Sequence, residues 1–291
     1  MNKKLGMLLG LHVGDCMGVT LEFQPPVLDK NQWQTDLIGG GEFNFPVGVG
    51  SDDSDLMICV LRSLKYGKLD EENLKNEFIK WFESGPKDVG NTTKKAMKKL
   101  SDGESIQTSG VNDEGTNTNG SLMRCAPMAL ISNMVTLSEL SETVRRQTAS
   151  THAHPECVQM DWVLIVLLSK ILHQSLTKDE LFEIALEEVS SFSFELGIQF
   201  KKLKEEKWED VTNGGRAFET LKSAFWSFYH FDSYREGIIA IINRGNDSDT
   251  TAAVAGALFG AYYGEKSIPK EWVEKVNYKD EIEDLLKLIE G

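Results

Sequence analysis

The sequence predicts an all-α protein, a single compact multi-helix orthogonal bundle, on three observations. Apolar residues recur at helical spacing along most of the 291 residues. Two capping boxes, Thr136 with Glu139 and Thr177 with Glu180, announce helix starts. No stretch sustains the alternation of β-branched or aromatic with polar residues that marks a half-buried strand.

The first element is a packed helix with Leu5, Leu8, Leu9 and His12 on one side. Lys3 and Lys4 before the apolar run Leu5 to Val13 imitate a signal peptide, but Asp15 soon interrupts it and no A-x-A site appears. The next helical run, Asp53 to Tyr66, carries Leu56, Cys59, Val60 and Leu64 on one side. Further runs cover Asp70 to Phe82, Pro155 to His173, Gly215 to Tyr229, Tyr234 to Asn243 and Lys279 to Ile289, within roughly a dozen helices. Two irregular stretches interrupt them. Gln24 to Gly50 holds three of the seven prolines and the triplet Gly39-Gly40-Gly41, and Ser101 to Gly120 is polar. Loops of this length in a compact domain are usually functional or disordered. Neither has the composition of a linker, so residues 1–291 read as one domain.

Forty-five acidic against 31 basic side chains leave a net charge of −14, which disfavours stable nucleic-acid binding or an anionic membrane surface. The longest apolar stretch, Thr251 to Tyr263, is too short to cross a bilayer. Four cysteines (Cys16, Cys59, Cys125, Cys157) stand singly, without CxxC spacing, and read as reduced core thiols. A soluble, cytoplasmic monomer is expected.

Two segments carry the chemistry. Gly50-Ser51-Asp52-Asp53-Ser54-Asp55 enters one helix, and Gly245-Asn246-Asp247-Ser248-Asp249-Thr250-Thr251 enters another. A helix start needs one capping oxygen, and adjacent acids repel, so capping alone does not account for either run. The second helix carries Gly256, Gly260 and Gly264 beside Ala252, Ala253, Ala257 and Ala261. Each helical glycine costs roughly 1 kcal/mol relative to alanine, so this stripe serves close approach of another helix in the domain centre. Two buried helix starts facing each other would gather four or more carboxylates, which cannot all stay ionised without a cation. Oxygen ligands select Mg²⁺, Mn²⁺ or Ca²⁺ over zinc. An EF-hand from Asp247 fails, since it needs glycine at Ala252 and glutamate at Leu258. A phosphatase-like nucleophile loop at Asp247, Asp249 and Thr251 fails too, since no buried strand precedes it.

With these residues in view the chain resembles the ADP-ribosylglycohydrolase family. The resemblance runs in order through Gly14-Asp15-Cys16-Met17-Gly18 with Leu21-Glu22-Phe23, the glycine triplet, Ser51-Asp52-Asp53-Ser54 and Asp88-Val89-Gly90-Asn91-Thr92-Thr93. It continues through Asn119-Gly120-Ser121-Leu122-Met123-Arg124 with Pro127, Thr151-His152, and Asp247-Ser248-Asp249-Thr250 followed by the glycine stripe. Serines at 51 and 54 stand where the family usually has threonine.

The resemblance implies a central dinuclear metal cleft with two Mg²⁺ or Mn²⁺ ions, held by Ser51, Asp52, Asp53, Asp247, Asp249 and Thr250. It also implies a hydrolase that cleaves the glycosidic bond of an ADP-ribosylated protein, nucleic acid or small molecule and releases ADP-ribose. Glu22 and Asp88 are alternative catalytic acids or bases. Expected substrate contacts are Gly40, Asn119, Gly120, Ser121, Met123 and His152, with the Asn119-Gly120-Ser121 turn leading into a helix whose N–H groups could face a phosphate. A non-catalytic ADP-ribose-binding relative of the same fold is the alternative.

Overall fold

The computed structural model describes residues 2–65 and 67–290. Among them are thirteen α-helices, several one-turn 3-10 segments and one two-stranded ladder. The helices are α1 Lys3–Gly18, α2 Asp52–Arg62, α3 Glu71–Glu83, α4 Asn91–Ser101, α5 Leu137–Ala149 and α6 Pro155–His173. They continue as α7 Lys178–Phe192, α8 Phe194–Lys201, α9 Ala217–His230, α10 Tyr234–Ile242, α11 Ser248–Tyr263, α12 Lys270–Val273 and α13 Lys279–Glu290. Both capping boxes form as expected, at the starts of α5 and α7. No helix is long and apolar enough to cross a membrane among the described residues.

The apolar run expected from Asp53 to Tyr66 is divided. α2 stops at Arg62, where Ser63 Oγ donates back to the Cys59 carbonyl at 2.8 Å. Leu64–Lys65 then pairs antiparallel with Lys68–Leu69 through a turn that contains Gly67 at φ +74°. Leu64 keeps its place in the core, so the apolar spacing survives although the helix does not. Tyr66 lies outside the described residues.

The centre of the fold is the contact between α1 and α11. A Cβ on Gly10 would lie 2.2 Å from the Gly256 carbonyl oxygen, and one on Gly260 would lie 1.9 Å from that of Gly6. The two helices therefore meet backbone to backbone, which only a column of glycine on both partners allows. Tyr234 of α10 secures the pair by donating its hydroxyl to the Gly10 carbonyl at 2.6 Å. The crossing sets Asp15, near the end of α1, against Asp249, in the first turn of α11. α2 packs its start into the same corner.

The polar stretch Ser101 to Gly120 is ordered by backbone pairing rather than by a core of its own. Val111 bridges to His152 in parallel, and Thr118 bridges to Arg216 antiparallel. The Asn119 N–H donates to the Gly215 carbonyl at 3.0 Å. These links carry Thr118, Asn119 and Gly120 to the mouth of the corner formed by α1, α2 and α11.

Candidate active site

A polar cleft opens over the starts of α2 and α11. It is lined by Glu22, Phe23, Asp52, Asp88, the first turn of α4, Thr118 to Gly120, Met123, His152, Gly215, Asp247, Asp249 and Thr250. The two acidic segments, far apart in sequence, meet here: Thr250 Oγ1 donates to Asp53 Oδ1 at 3.2 Å. One carboxylate oxygen each from Asp15, Asp53 and Asp249 lies within 4.8 Å of the others, and so do oxygens of Glu22, Asp88 and Asp249. Asp249 belongs to both trios. The first is wholly buried, and the second faces the cleft.

Burial pushes Asp52, Asp53 and Asp249 well above the usual carboxylate range, and neighbouring carboxylates push the same way, Asp88 on Asp52, Asp249 on Asp53 and Glu22 on Asp249. Burial and then the charge of Asp88 carry Glu22 up to about 9. Burial and then the charge of Asp247 carry Asp88 up to about 6. Three buried acceptors, Glu22 Oε2, Asp53 Oδ2 and Asp249 Oδ1, have no hydrogen-bond donor. Unpartnered carboxylate oxygens that converge under mutual repulsion fit a hard divalent cation, which supplies the missing positive charge and takes oxygen ligands.

Asp15 joins this group although it is not among the ligands that the resemblance implies. It accepts from the Ser51 N–H and Ser51 Oγ, both at 3.0 Å, from the Ser54 N–H at 3.1 Å, and from Ser54 Oγ. Ser51 is the N-cap of α2, its Oγ accepting from the Asp53 N–H at 3.3 Å. Asp15 and the two serines thus aim the start of α2, and with it Asp52 and Asp53, at the cleft. Its hints in sequence are the Gly14-Asp15-Cys16-Met17-Gly18 block of the resemblance and an acid inside an otherwise apolar helix.

Asn119 reaches the floor from the opposite wall, its Nδ2 donating to Asp247 Oδ2 and to Thr220 Oγ1, both at 2.8 Å. Behind the wall Arg124 is fully buried and donates to the Gly120 carbonyl at 3.1 Å and to Thr151 Oγ1 at 2.7 Å. His152 Nδ1 lies 2.7 Å from Thr151 Oγ1, and its Nε2 lies 3.0 Å from Thr118 Oγ1. Burial and then the Arg124 charge lower His152 to about 3, so the ring is neutral.

Two of the expected substrate contacts do not line the cleft. Gly40 is tied into a tight turn by paired 2.8 Å backbone hydrogen bonds with Phe45. A Cβ on Gly39 would lie 2.7 Å from the Phe45 carbonyl oxygen and one on Gly41 1.9 Å from that of Val19, so these two glycines serve chain packing, and Gly40 serves the turn through its φ of +92°. Ser121 points inward to Asp161 Oδ1 at 3.2 Å. The helix expected after Ser121 is only the 3-10 turn Leu122–Arg124, followed by a second from Ala126. Pro127 lacks the N–H that an α-helical bond back to Met123 needs. No α-helix N-terminus therefore faces the cleft at this point. Sequence reasoning also leaves Phe23, Thr118 and Gly215 of the lining without a role.

The four cysteines are buried and free, and burial pushes their thiols upward, consistent with inert core residues.

Fold and site together define an all-helical protein with a carboxylate-floored cleft able to hold hard cations. The chain belongs to the ADP-ribosylglycohydrolase family, whose profile matches residues 1–291. It is 30% identical to the ADP-ribosylarginine hydrolase Tri1 of Pseudomonas putida, over 98% of this chain and 77% of that protein. It is also 30% identical to the ADP-ribosyl-[dinitrogen reductase] glycohydrolase of Rhodospirillum rubrum, over 97% of this chain and 92% of that protein. A solved structure described as an ADP-ribosylglycohydrolase-related protein complex superposes with a TM-score of 0.83 at 28% identity, covering 99% of this chain and 97% of that one.

Proposed function

We propose that this protein is a Mg²⁺- or Mn²⁺-dependent hydrolase that cleaves the glycosidic bond of an ADP-ribosylated substrate and releases ADP-ribose. The observation that carries the reading is the pair of carboxylate trios sharing Asp249 at the cleft floor, with buried oxygens that lack donors. Ser51, Asp52, Asp53, Asp247, Asp249 and Thr250 would hold the cations, with Asp15 fixing Ser51 and the start of α2 beneath them. Cations bound there supply Lewis acidity and a water acidic enough to act as nucleophile.

The remaining residues have parts of their own. Cleavage at the anomeric carbon passes through an oxocarbenium-like transition state, which nearby carboxylates stabilise. Water adds its oxygen to that carbon as the bond to the leaving group breaks. One carboxylate, Glu22 or Asp88, takes the water's proton or returns one to the leaving atom. Both reach the cleft, in the same trio. The hydroxyls of Thr92 and Thr118 and the neutral His152 form a polar wall suited to the phosphates, and Asn119, Gly120 and Met123 border it.

Two relatives are named for ADP-ribosylarginine and for an ADP-ribosylated protein, which makes an arginine-linked ADP-ribosyl protein the first substrate to supply. ADP-ribosylated arginine, serine and nucleic-acid conjugates would be incubated with the full chain in Mg²⁺, in Mn²⁺ or in EDTA, and free ADP-ribose measured. Release that EDTA abolishes is the expected result. Tight ADP-ribose binding with no release from any conjugate would instead make the protein a reader of the modification.

A further inference from the structure

We propose that His12, which lies outside the cleft, is a positioning residue that locks the carboxylate cluster through Ser54 and Asp15. The inference rests on the reading of the cluster as a cation site. His12 is wholly buried on α1, three residues before Asp15. Its Nδ1 lies 2.7 Å from Ser54 Oγ, and its Nε2 accepts from the Tyr278 backbone N–H at 3.3 Å. Ser54 has a single hydroxyl proton, which it donates to Asp15 Oδ2. Ser54 must therefore accept from the ring, and that places the imidazole proton on Nδ1. The Asn277 side chain also bonds the ring and Cys16 Sγ lies 3.6 Å from Nδ1, but Ser54 is the nearer partner of that nitrogen, and its committed proton decides the assignment.

The result is a one-way row of donors: Tyr278 N–H to His12, His12 Nδ1–H to Ser54, and Ser54 Oγ–H to Asp15. Every proton in the row points toward the carboxylate cluster. Asp15 is held as an acceptor in one orientation beside Asp53 and Asp249, and the start of α2 is held with it. The same C-terminal segment also secures the long loop before α2, since the Asn277 N–H donates to the Gly48 carbonyl at 3.0 Å. Without a donor at Nδ1, the Ser54 hydroxyl is free to turn, and Asp15 Oδ2 loses its side-chain donor while the Ser51 donors and the Ser54 N–H remain. Groups that orient a metal's ligands in this way tune its affinity without touching it.

The test is Mn²⁺ binding by the full chain, followed by calorimetry and by the spin-resonance signal of free Mn²⁺, with melting curves recorded in parallel. His12→Asn keeps an N–H near the Nδ1 position, whereas His12→Leu removes it and His12→Gln moves the amide toward Nε2. H12L and H12Q should weaken Mn²⁺ binding by about tenfold, with H12N within about twofold of the wild type. Ser54→Ala should cost about as much as H12L, and the double variant no more than either, because the two residues act in one row.

A folded H12L with wild-type affinity, or an H12N as weak as H12L, overturns the proposal. Should H12L fail to fold, the contrast between H12N and H12Q decides it. A wild-type protein that binds no Mn²⁺ removes the cation reading and this inference together. Wild-type binding that H12L and H12Q leave unchanged removes this inference alone.

Discussion

Thr250 Oγ1 donates to Asp53 Oδ1 at 3.2 Å, joining two acidic helix starts that lie 197 positions apart in the chain. The bond leaves the other Asp53 oxygen buried and without a donor, beside a similarly unpartnered oxygen of Asp249. The cluster thus offers buried carboxylate oxygens that the protein itself does not satisfy.

Asp249 is common to both trios, so Asp249→Asn should weaken Mn²⁺ binding at least about tenfold and lower activity in proportion. The same change should raise the melting temperature in EDTA, because it removes a buried charge that its neighbours repel. Calorimetry with Mn²⁺ and melting curves in chelator measure the two opposite effects. A variant that loses both affinity and metal-free stability would mark Asp249 as a plain structural residue.

Gly10→Ala tests the α1–α11 crossing. The added methyl would lie 2.2 Å from the Gly256 carbonyl oxygen, with backbone on the far side and no side chain to swing away. Destabilisation of more than about 2 kcal/mol in urea titrations is expected. Activity should fall with it, since the crossing aligns Asp15 and Asp249.

Phe23 lines the cleft at φ +60° and is 62% exposed. Its backbone N–H donates to the Asn246 carbonyl at 2.7 Å, which holds this conformation in place. Phe23→Gly relieves about 1 kcal/mol of backbone strain, and the greater freedom of glycine in the unfolded chain offsets a similar amount. Urea stability should therefore stay nearly constant while KM for an ADP-ribosylated substrate rises. A stability loss with unchanged KM would make Phe23 a packing residue.

Asp161 supplies a pH signature away from the carboxylate cluster. Burial raises it from 3.8 to about 7, against the weaker opposing pull of Thr148, Arg124 and Ser121. A carboxyl raised in the folded state contributes stability that is complete below its unfolded value and is lost as pH rises through the folded one. The wild type should accordingly lose stability relative to Asp161→Asn between about pH 4 and 7, and track it on either side. Parallel urea titrations across that range would reveal the difference, and identical pH profiles would refute it.

The helices with strong apolar spacing were legible in the sequence, and α6 occupies the expected Pro155 to His173. The glycine stripe after Asp249 likewise announces a close helix crossing, because glycine has no other use on a buried helical face. α4 escapes this reading, since its lysines Lys94, Lys95, Lys98 and Lys99 dilute a stripe of only Ala96, Met97 and Leu100. The acids around Asp52 and Asp247 stand out because a cap needs only one of them. Asp15 does not, since a single acid in an apolar helix has many bland explanations and its partners lie in a distant segment. The polar wall is harder still, because the positions of Thr118 and His152 depend on single backbone bridges that leave no periodic trace.

The dependence of the cluster on the α1–α11 crossing also constrains the order of synthesis. Ser248, which opens α11, donates to the Gly18 carbonyl across 230 positions. On a translating ribosome, α1 emerges some 230 residues before α11 and must wait for that intervening chain before its glycine face is covered. Until then Asp15 has no Asp249 beside it, so a nascent or truncated chain lacks the assembled cluster. Such a long wait also makes α1 a natural client for whatever shields unfinished chains from aggregation.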